Sequence, residues 1–469
     1  MTKYAGSEFP GKKFYMKHSH DMTVGSPLKA LIVFSLPIIL GNLFQQFYNL
    51  MDIAIVGNRL GDTSLAAVGA TSALYGLFLS LSHGFANGFS LVIAKYFGAK
   101  DMKGLKASVA HTFTLSIFIA ILLTMVSVFA TKPLLILLQT PDPELSYRYI
   151  SVVLFAVSVT VFYNILAGIM RAVGNSLAPL VFLIIGALCN IGLDCFFICV
   201  LDLGVFGAGL ATVLSQVISC ILSAVYLWKK CRDLLPGKED FAFNGKLFRD
   251  LIVNGSSMAL MFSIVSIGSI TLQFAVNGLG ETTTAAHTTA RKIDETMMVM
   301  FAPLSTAAAT FASQNLGAKK EDRIRKGIFS AFALAFGVSV IAILVTFLFG
   351  RELVTIISGS TNPQVIDLGT GYLQLNIPFF FFLVTLVILR STLQGVGRKI
   401  APLAGSVVEM VGKVAIALFL VPRIGYMGII VSEPLIWITC SIIVGFDFAL
   451  FLFSARQRKS QSKHCLQQS

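Results

Sequence analysis

Long apolar runs separated by short polar segments set the pattern of this chain of 469 residues. A helix needs roughly 20 apolar residues to cross a bilayer core. Twelve runs meet that length, at about 29–53, 64–86, 107–130, 149–169, 177–200, 203–227, 251–275, 285–311, 326–349, 371–394, 401–421 and 428–453. None shows the two-residue alternation of a membrane strand. The pattern therefore predicts an all-α polytopic membrane protein with twelve transmembrane helices. Spans 5 and 6 are divided only by Leu201-Asp202-Leu203-Gly204. Residues 1–28 are polar and basic, and the run after them is too long for a signal-peptide core, so it reads as span 1 and not as a cleaved leader.

The chain also repeats itself. Leu60-Gly61-Asp62-Thr63 returns as Leu279-Gly280-Glu281-Thr282, and Gly98-Ala99-Lys100 as Gly317-Ala318-Lys319. Val173-Gly174 followed by Ala178-Pro179-Leu180 returns as Val396-Gly397 followed by Ala401-Pro402-Leu403. Two six-helix repeats follow. Because six is even, both enter the membrane from the same side, and a pseudo-two-fold axis along the membrane normal relates them, with the substrate path between. The expected organisation is a tail (1–28), an N-lobe (29–227), a linker (228–250), a C-lobe (251–453) and a second tail (454–469).

Composition supports the membrane reading and charge orients it. Only 13% of residues are charged and mean hydropathy is +0.81. A soluble protein carries about 25% charged residues, and disorder needs low hydrophobicity. The net charge of +13 would suit nucleic acid if it were clustered, but it is spread over short inter-span segments. With the N-terminus inside, 27 of the 36 Lys and Arg fall on the inner side and five on the outer. The positive-inside rule thus places both ends in the cytoplasm of a plasma membrane. Seven scattered cysteines without a Cys-x-x-Cys pair read as small buried hydrophobes, not a disulfide framework. The low charged fraction rules out an ordinary soluble enzyme, and with no P-loop and no zinc spacing no ATP or zinc site is expected. The energy source is then an ion gradient or another subunit.

Ionisable groups inside spans cost a few kcal/mol and mark functional sites. In span 1, Gln45, Tyr48, Asn49 and Asp52 lie on one helical face, with Pro37 upstream to bend the helix. In span 5, Asn190 and Asp194 are four apart, and Thr212 follows in span 6. At 1.5 Å per residue, Asp194 sits about 26 Å above the inner end of its span and Thr212 about 14 Å below the outer end. Asp52 also falls in the outer half, so the two acids are expected in one outward-lying cavity. In the other half, His287, Arg291, Asp294 and Glu295 lie near one face of span 8, and Glu409 and Lys413 are four apart in span 11. Depth suggests that Glu295 and Lys413 pair. The cluster fits either an internal salt-bridge network or substrate contact. His83 and Asn87 read as a satisfied buried pair, and Glu433 and Asp447 as groups able to reach water.

The repeat, Asn49-Leu-Met-Asp52, Arg171-Ala-Val-Gly-Asn175, Asn190-Ile-Gly-Leu-Asp194 and Gln314-Asn-Leu-Gly-Ala318 together resemble the multidrug and toxic compound extrusion (MATE) family over residues 25–455. The resemblance implies a two-lobe secondary antiporter exporting organic, cationic or amphipathic compounds in exchange for H⁺ or Na⁺. It implies ion coupling at Asp52, Asn190, Asp194 and Thr212, with Tyr48 beside them. The same oxygens would be the metal ligands if the ion is Na⁺. One branch of the family also uses acids in spans 7 and 10. Here Ile264–Gln273 and Ile377–Leu383 contain none, so the chain looks closer to the DinF-like branch. Gln45, Asn49, Arg291, Glu295, Glu409 and Lys413 are the candidate substrate contacts. No cofactor is expected beyond the transported ion, H⁺ being favoured. The expected partners are small organic molecules and the lipid bilayer, without nucleic acid, and the protein is expected to act as a monomer. A rival within transport is a lipid-linked-precursor flippase, whose cavity should be lined by Arg and Lys; the acids Asp52 and Asp194 disfavour it. A non-transporting scaffold or receptor would need neither the repeat nor buried acids.

Overall fold

The computed structural model describes residues 21–137 and 143–467. Among the described residues there is no strand. Twelve spans follow in order: α1 (Pro27–Gly61), α2 (Leu74–Gly98), α3 (Met102–Pro133), α4 (Glu144–Phe155 and Val157–Ala172), α5 (Leu177–Val200), α6 (Gly204–Lys230), α7 (Gly245–Asn277), α8 (Glu281–Gly317), α9 (Glu321–Ser358), α10 (Pro363–Gly395), α11 (Ile400–Ile424) and α12 (Tyr426–Ser454). The two parts of α4 meet at a bend of 43°, and this span starts before the apolar run that predicted it. Proline sits inside α1 at Pro37 and inside α12 at Pro434.

The sequence repeat reappears as a repeat of backbone exceptions. Positive φ occurs at Gly61 and Gly280, at Lys100 and Lys319, at Gly174 and Gly397, and at Gly204 and Gly425. Wide π-helical turns end α5 (Cys195–Val200) and occupy the matching stretch of α11 (Ile416–Leu420). Such turns leave the regular ladder of backbone hydrogen bonds and recur only where the same local geometry is wanted twice.

Two apolar cores divide the interior. One gathers Phe89, Ile93, Val161, Ile165 and Met170 of the first half, and Leu247 and Leu251 of α7 join it. The other gathers Phe311, Tyr372, Phe380 and Trp437 of the second half, joined by Ala30, Leu31 and Phe34 from the start of α1. The start of α1 and the start of α7 thus each pack into the opposite half, and the two halves interlock at that end. The outer surface is apolar instead of polar: Phe118 and Phe129 of α3 and Ile341, Phe347 and Leu348 of α9 are exposed, as contact with lipid tails requires. Buried hydroxyls turn back onto their own helices, as Ser223 does to Ser219 (2.8 Å) and Ser339 to Ala335 (2.9 Å). The cysteines are less buried than expected: Cys440 is buried, Cys189, Cys220 and Cys231 are half-buried, and Cys195 and Cys199, on the π-helical turn of α5, are exposed.

The halves close on each other at the end where α2 and α8 finish. A side chain on Gly98 would overlap the carbonyl of Gln314, and one on Gly317 would overlap the carbonyl of Lys95. Only glycine lets two helix backbones approach so closely. Residues 22–25 run as a strap across this seal. The backbone N–H of Met22 donates to Gln314 (3.1 Å), and Asn315 donates to the Met22 carbonyl (3.1 Å). Lys320 donates to Thr23 (2.9 Å) and Arg323 to Gly25 (2.6 Å). Gln314 also donates to the carbonyl of Ala172 at the end of α4 (2.8 Å), which ties the halves together once more.

Gly98→Val and Gly317→Val should each lower the thermal unfolding midpoint of the purified protein, since overpacking costs about 1–3 kcal/mol. Gly337→Ala, whose added carbon meets nothing within 4 Å, should not lower it. Equal midpoints for all three variants would contradict the close approach at the seal.

Candidate functional site

A cavity of about 490 Å³ lies between the halves above the seal. Its floor includes Asn87 of α2, Arg171 of α4 and Ser176 at the start of α5; higher up it is lined by Gln45, Tyr48, Tyr75 and Asn190. The second half contributes Met261, Phe262 and Val265 of α7 and Arg390 of α10. This size suits a drug-sized organic molecule. The walls mix apolar side chains with a few fixed polar groups. Gln216 of α6 donates to the Tyr75 hydroxyl (3.0 Å) and accepts from Thr160 of α4, and Asn164 donates to Ser82 (3.0 Å). These bonds tie α2, α4 and α6 into one wall.

One helical turn beyond Tyr48 and Asn190, Asp52 and Asp194 are electrostatic neighbours. Asp194 is fully buried and Asn190 nearly so. Neither oxygen of Asp194, nor Oδ1 of Asp52, nor either polar atom of the Asn190 amide has a hydrogen-bond partner. Buried polar atoms are almost always partnered; single unpartnered atoms occur elsewhere, as at Asp294 and Gln394, but here five gather on three adjoining residues. Four of the five are oxygens, which suit a proton or a hard cation. Tyr149 of α4 lies close to both acids, and Tyr48 and Tyr75 lie close to Tyr149. Among the described residues no group of three or more His, Cys, Asp and Glu gathers as a metal centre.

The structure brings together most, but not all, of the residues singled out in the first half. Gln45 and Tyr48 line the cavity, whereas Asn49 is exposed and does not line it. Thr212 gives its hydroxyl to the carbonyl of Ala208 (3.1 Å) and so donates to neither acid. His83 is not a satisfied core histidine; it is exposed and lines the cavity with Asn87. Gln216, Tyr75, Tyr149 and Arg171 complete the surroundings and were not anticipated as site residues. Gln216 carried a usable signal, since it stands one turn after Thr212. The tyrosines carried none, because tyrosine in an apolar run reads equally well as lipid anchor or core.

The second half holds a network of buried charge. Glu409 takes Arg390 at 2.8 Å and Lys413 at 3.2 Å. Lys413 also reaches Ser269 (3.2 Å) and Glu433 (3.9 Å). Arg291 reaches Asp294 at 3.0 Å, Glu295 at 3.3 Å and Glu433 at 3.6 Å. The expected pairing of Glu295 with Lys413 is therefore wrong: Glu295 turns back to Arg291 on its own helix, and Glu433 of α12 takes the lysine. Glu433 is drawn inside, and Asp447 binds Arg398 (3.1 and 3.0 Å) instead of standing free. Arg291 and Glu295 line a smaller cavity of about 300 Å³ with His287 and Tyr372. Glu409 and Lys413 are almost wholly buried in their ion pairs.

Comparison with known proteins places the chain. The family model MatE matches residues 37–196 and 257–419. Among similar proteins is the probable multidrug resistance protein YoeA of Bacillus subtilis, 24% identical over 442 residues that cover 92% of this chain and 95% of YoeA. Among solved structures is a MOP superfamily transporter from Pyrococcus furiosus, described as having a binding pocket of reverse polarity. It shares 26% identity and a TM-score of 0.85, covering 96% of this chain and 99% of that one. A multidrug resistance MATE transporter in an outward-facing conformation shares the fold with a TM-score of 0.86 at 24% identity, over 94% and 99% of the two chains.

A structural part for the second network has a measurable consequence. Removing one member of a buried ion pair strands its partner and costs about 3–5 kcal/mol. Lys413→Met should therefore depress the thermal midpoint strongly, more than Arg351→Met, which breaks an exposed pair with Asp367 worth about 0–1 kcal/mol. Equal effects would show that the Lys413 pairs carry no structural weight.

Proposed function

Because the chain belongs to the MatE family of membrane transporters, we propose that it is a secondary active antiporter that exports amphipathic organic compounds in exchange for a cation, H⁺ before Na⁺. The reading places it in the plasma membrane as a monomer, with both ends cytoplasmic, in keeping with the Lys and Arg bias. The cargo occupies the cavity between the halves. The ion occupies the Asp52–Asp194 pair, with Asn190 and Tyr48 at its cavity side.

One observation carries the reading: the buried Asp194 carboxyl and the half-buried Asp52 carboxyl are electrostatic neighbours beside an unpartnered amide. Two neighbouring carboxylates repel, and burial penalises each charge further. A proton on one carboxyl makes it a donor to the other, and Na⁺ between them would answer the same oxygens. Loss of the ion restores the repulsion. The pair lies one turn from Tyr48 and Asn190, so a change in its spacing moves two cavity walls, α1 and α5, together. Pro37 supplies α1 with a point at which to bend, since it removes a backbone hydrogen bond. The seal at Gly98 and Gly317 keeps the cavity closed to one side, and alternating access consists of opening that seal while closing the opposite rim. The protein thus uses binding energy and an ion gradient and performs no covalent chemistry.

In proteoliposomes carrying an imposed pH gradient, Asp52→Asn and Asp194→Asn should each abolish efflux of a fluorescent substrate while remaining folded in the membrane. A Na⁺ gradient imposed alone tests the choice of ion. Efflux driven by Na⁺ and untouched by a protonophore would replace H⁺ by Na⁺, and full activity in both Asn variants would remove the site.

A further inference from the structure

The charge of the main cavity has the opposite sign to that of the acid pair above it. Its lining contains Arg171, Arg390 and His83 and no Asp or Glu. Arg171 stands at the last turn of α4. Among the described residues it forms no ion pair and donates no hydrogen bond; its electrostatic neighbours are Tyr163 and His83, neither of them an anion at neutral pH. Arg390 is 7% exposed and gives one nitrogen to Glu409, but its Nε, also buried, has no partner. Every other deeply placed cation with a resolved partner, Lys413 and Arg291 among them, is matched by carboxylates. A guanidinium left uncompensated in a membrane-embedded cavity is costly, and its planar set of donors fits carboxylate, phosphate or sulfonate oxygens.

We propose that the inter-lobe cavity recognises an anionic group on its cargo, through the Arg171 guanidinium with Arg390 Nε as a second donor, so that the substrates are anionic or zwitterionic amphiphiles. The apolar walls, Leu79, Leu180, Leu183, Met261, Phe262 and Val265, take the body of such a molecule while the floor takes its head. This rests on the transport reading above and departs from the cationic class that the family resemblance implies. The separation of charge also keeps the two ligands apart. An anion at Arg171 lies on the cavity floor, and a cation at Asp52 and Asp194 lies outside the lining, one turn beyond Tyr48 and Asn190, so neither competes for the other's groups.

Carboxyfluorescein and rhodamine 123 are xanthene dyes of similar size and opposite charge. Their affinities for the purified full-length protein in phosphatidylcholine nanodiscs, read by fluorescence polarisation, test the proposal. The wild type should bind carboxyfluorescein the more tightly. R171Q should lower the ratio of the two affinities by about tenfold or more, the usual worth of a charge-assisted hydrogen bond, and R171K should keep most of it. A wild type that prefers rhodamine 123, or an R171Q protein with an unchanged ratio, overturns the proposal; the wild-type preference decides even if R171Q does not fold. Adding phosphatidylglycerol to the nanodiscs separates the sources of the anion. Displacement of carboxyfluorescein assigns the floor to a lipid headgroup, and its absence assigns it to a soluble anion. Wild-type proteoliposomes that bind carboxyfluorescein but move neither dye under any gradient would refute transport and leave the anion site standing.

Discussion

Helices surrounded by hydrocarbon have to satisfy every buried donor and acceptor from within the chain, because lipid offers none. The rest of this structure follows from that constraint. It forces helix throughout, returns Ser and Thr hydroxyls to the preceding turn, and draws Arg291, Arg390 and Lys413 into contact with Asp294, Glu409 and Glu433. It also makes the exceptions informative. Where several unanswered polar atoms lie together, at Asp52, Asn190 and Asp194, or where one belongs to a charged residue lining the cavity, at Arg390 Nε, the missing partner is best sought among mobile ligands.

Asn190 and Arg390 line the cavity, and Asp52 and Asp194 stand one helical turn beyond it. Asp52 and Tyr48 share α1, and Asp194 and Asn190 share α5, each pair separated by one turn. The start of α1 is anchored in the core of the second half through Ala30, Leu31 and Phe34. A change at Asp52 therefore acts on a helix that touches the acid site, the cavity and the opposite half in succession. The buried network around Glu409 does the complementary work. It joins α10, α11 and α12 to one another through Arg390, Glu409, Lys413 and Glu433.

The architecture was legible in the sequence because the bilayer writes it directly. Apolar length gave the twelve spans, and a repeat of short motifs gave the two-fold arrangement, down to the paired left-handed positions at Gly61 and Gly280. The spacing of Asn190 and Asp194, and of Tyr48 and Asp52, placed the acids near each other in depth, and they do meet. What the sequence hid was lateral: which faces turn toward each other around the bundle. Depth alone paired Glu295 with Lys413, whereas the packing of α12 brings Glu433 to that lysine. Thr212 donates its hydroxyl to Ala208 of its own helix, which leaves the oxygen's lone pairs free. Arg171 belongs by sequence to a short inter-span segment, and only the packing of the helices shows that it lines the cavity.

The central claim is that Asp52 and Asp194 form a cation-binding pair whose occupancy changes during transport. Infrared difference spectroscopy on the purified protein in Na⁺-free buffer at neutral pH reads this directly through the carbonyl stretch of a protonated carboxyl. A band should be present in the wild type, should be lost or shifted in both Asp52→Asn and Asp194→Asn, and should respond when Na⁺ or substrate is added. A spectrum with no protonated carboxyl assignable to either residue, and no response of their carboxylate bands to H⁺ or Na⁺, would contradict the account.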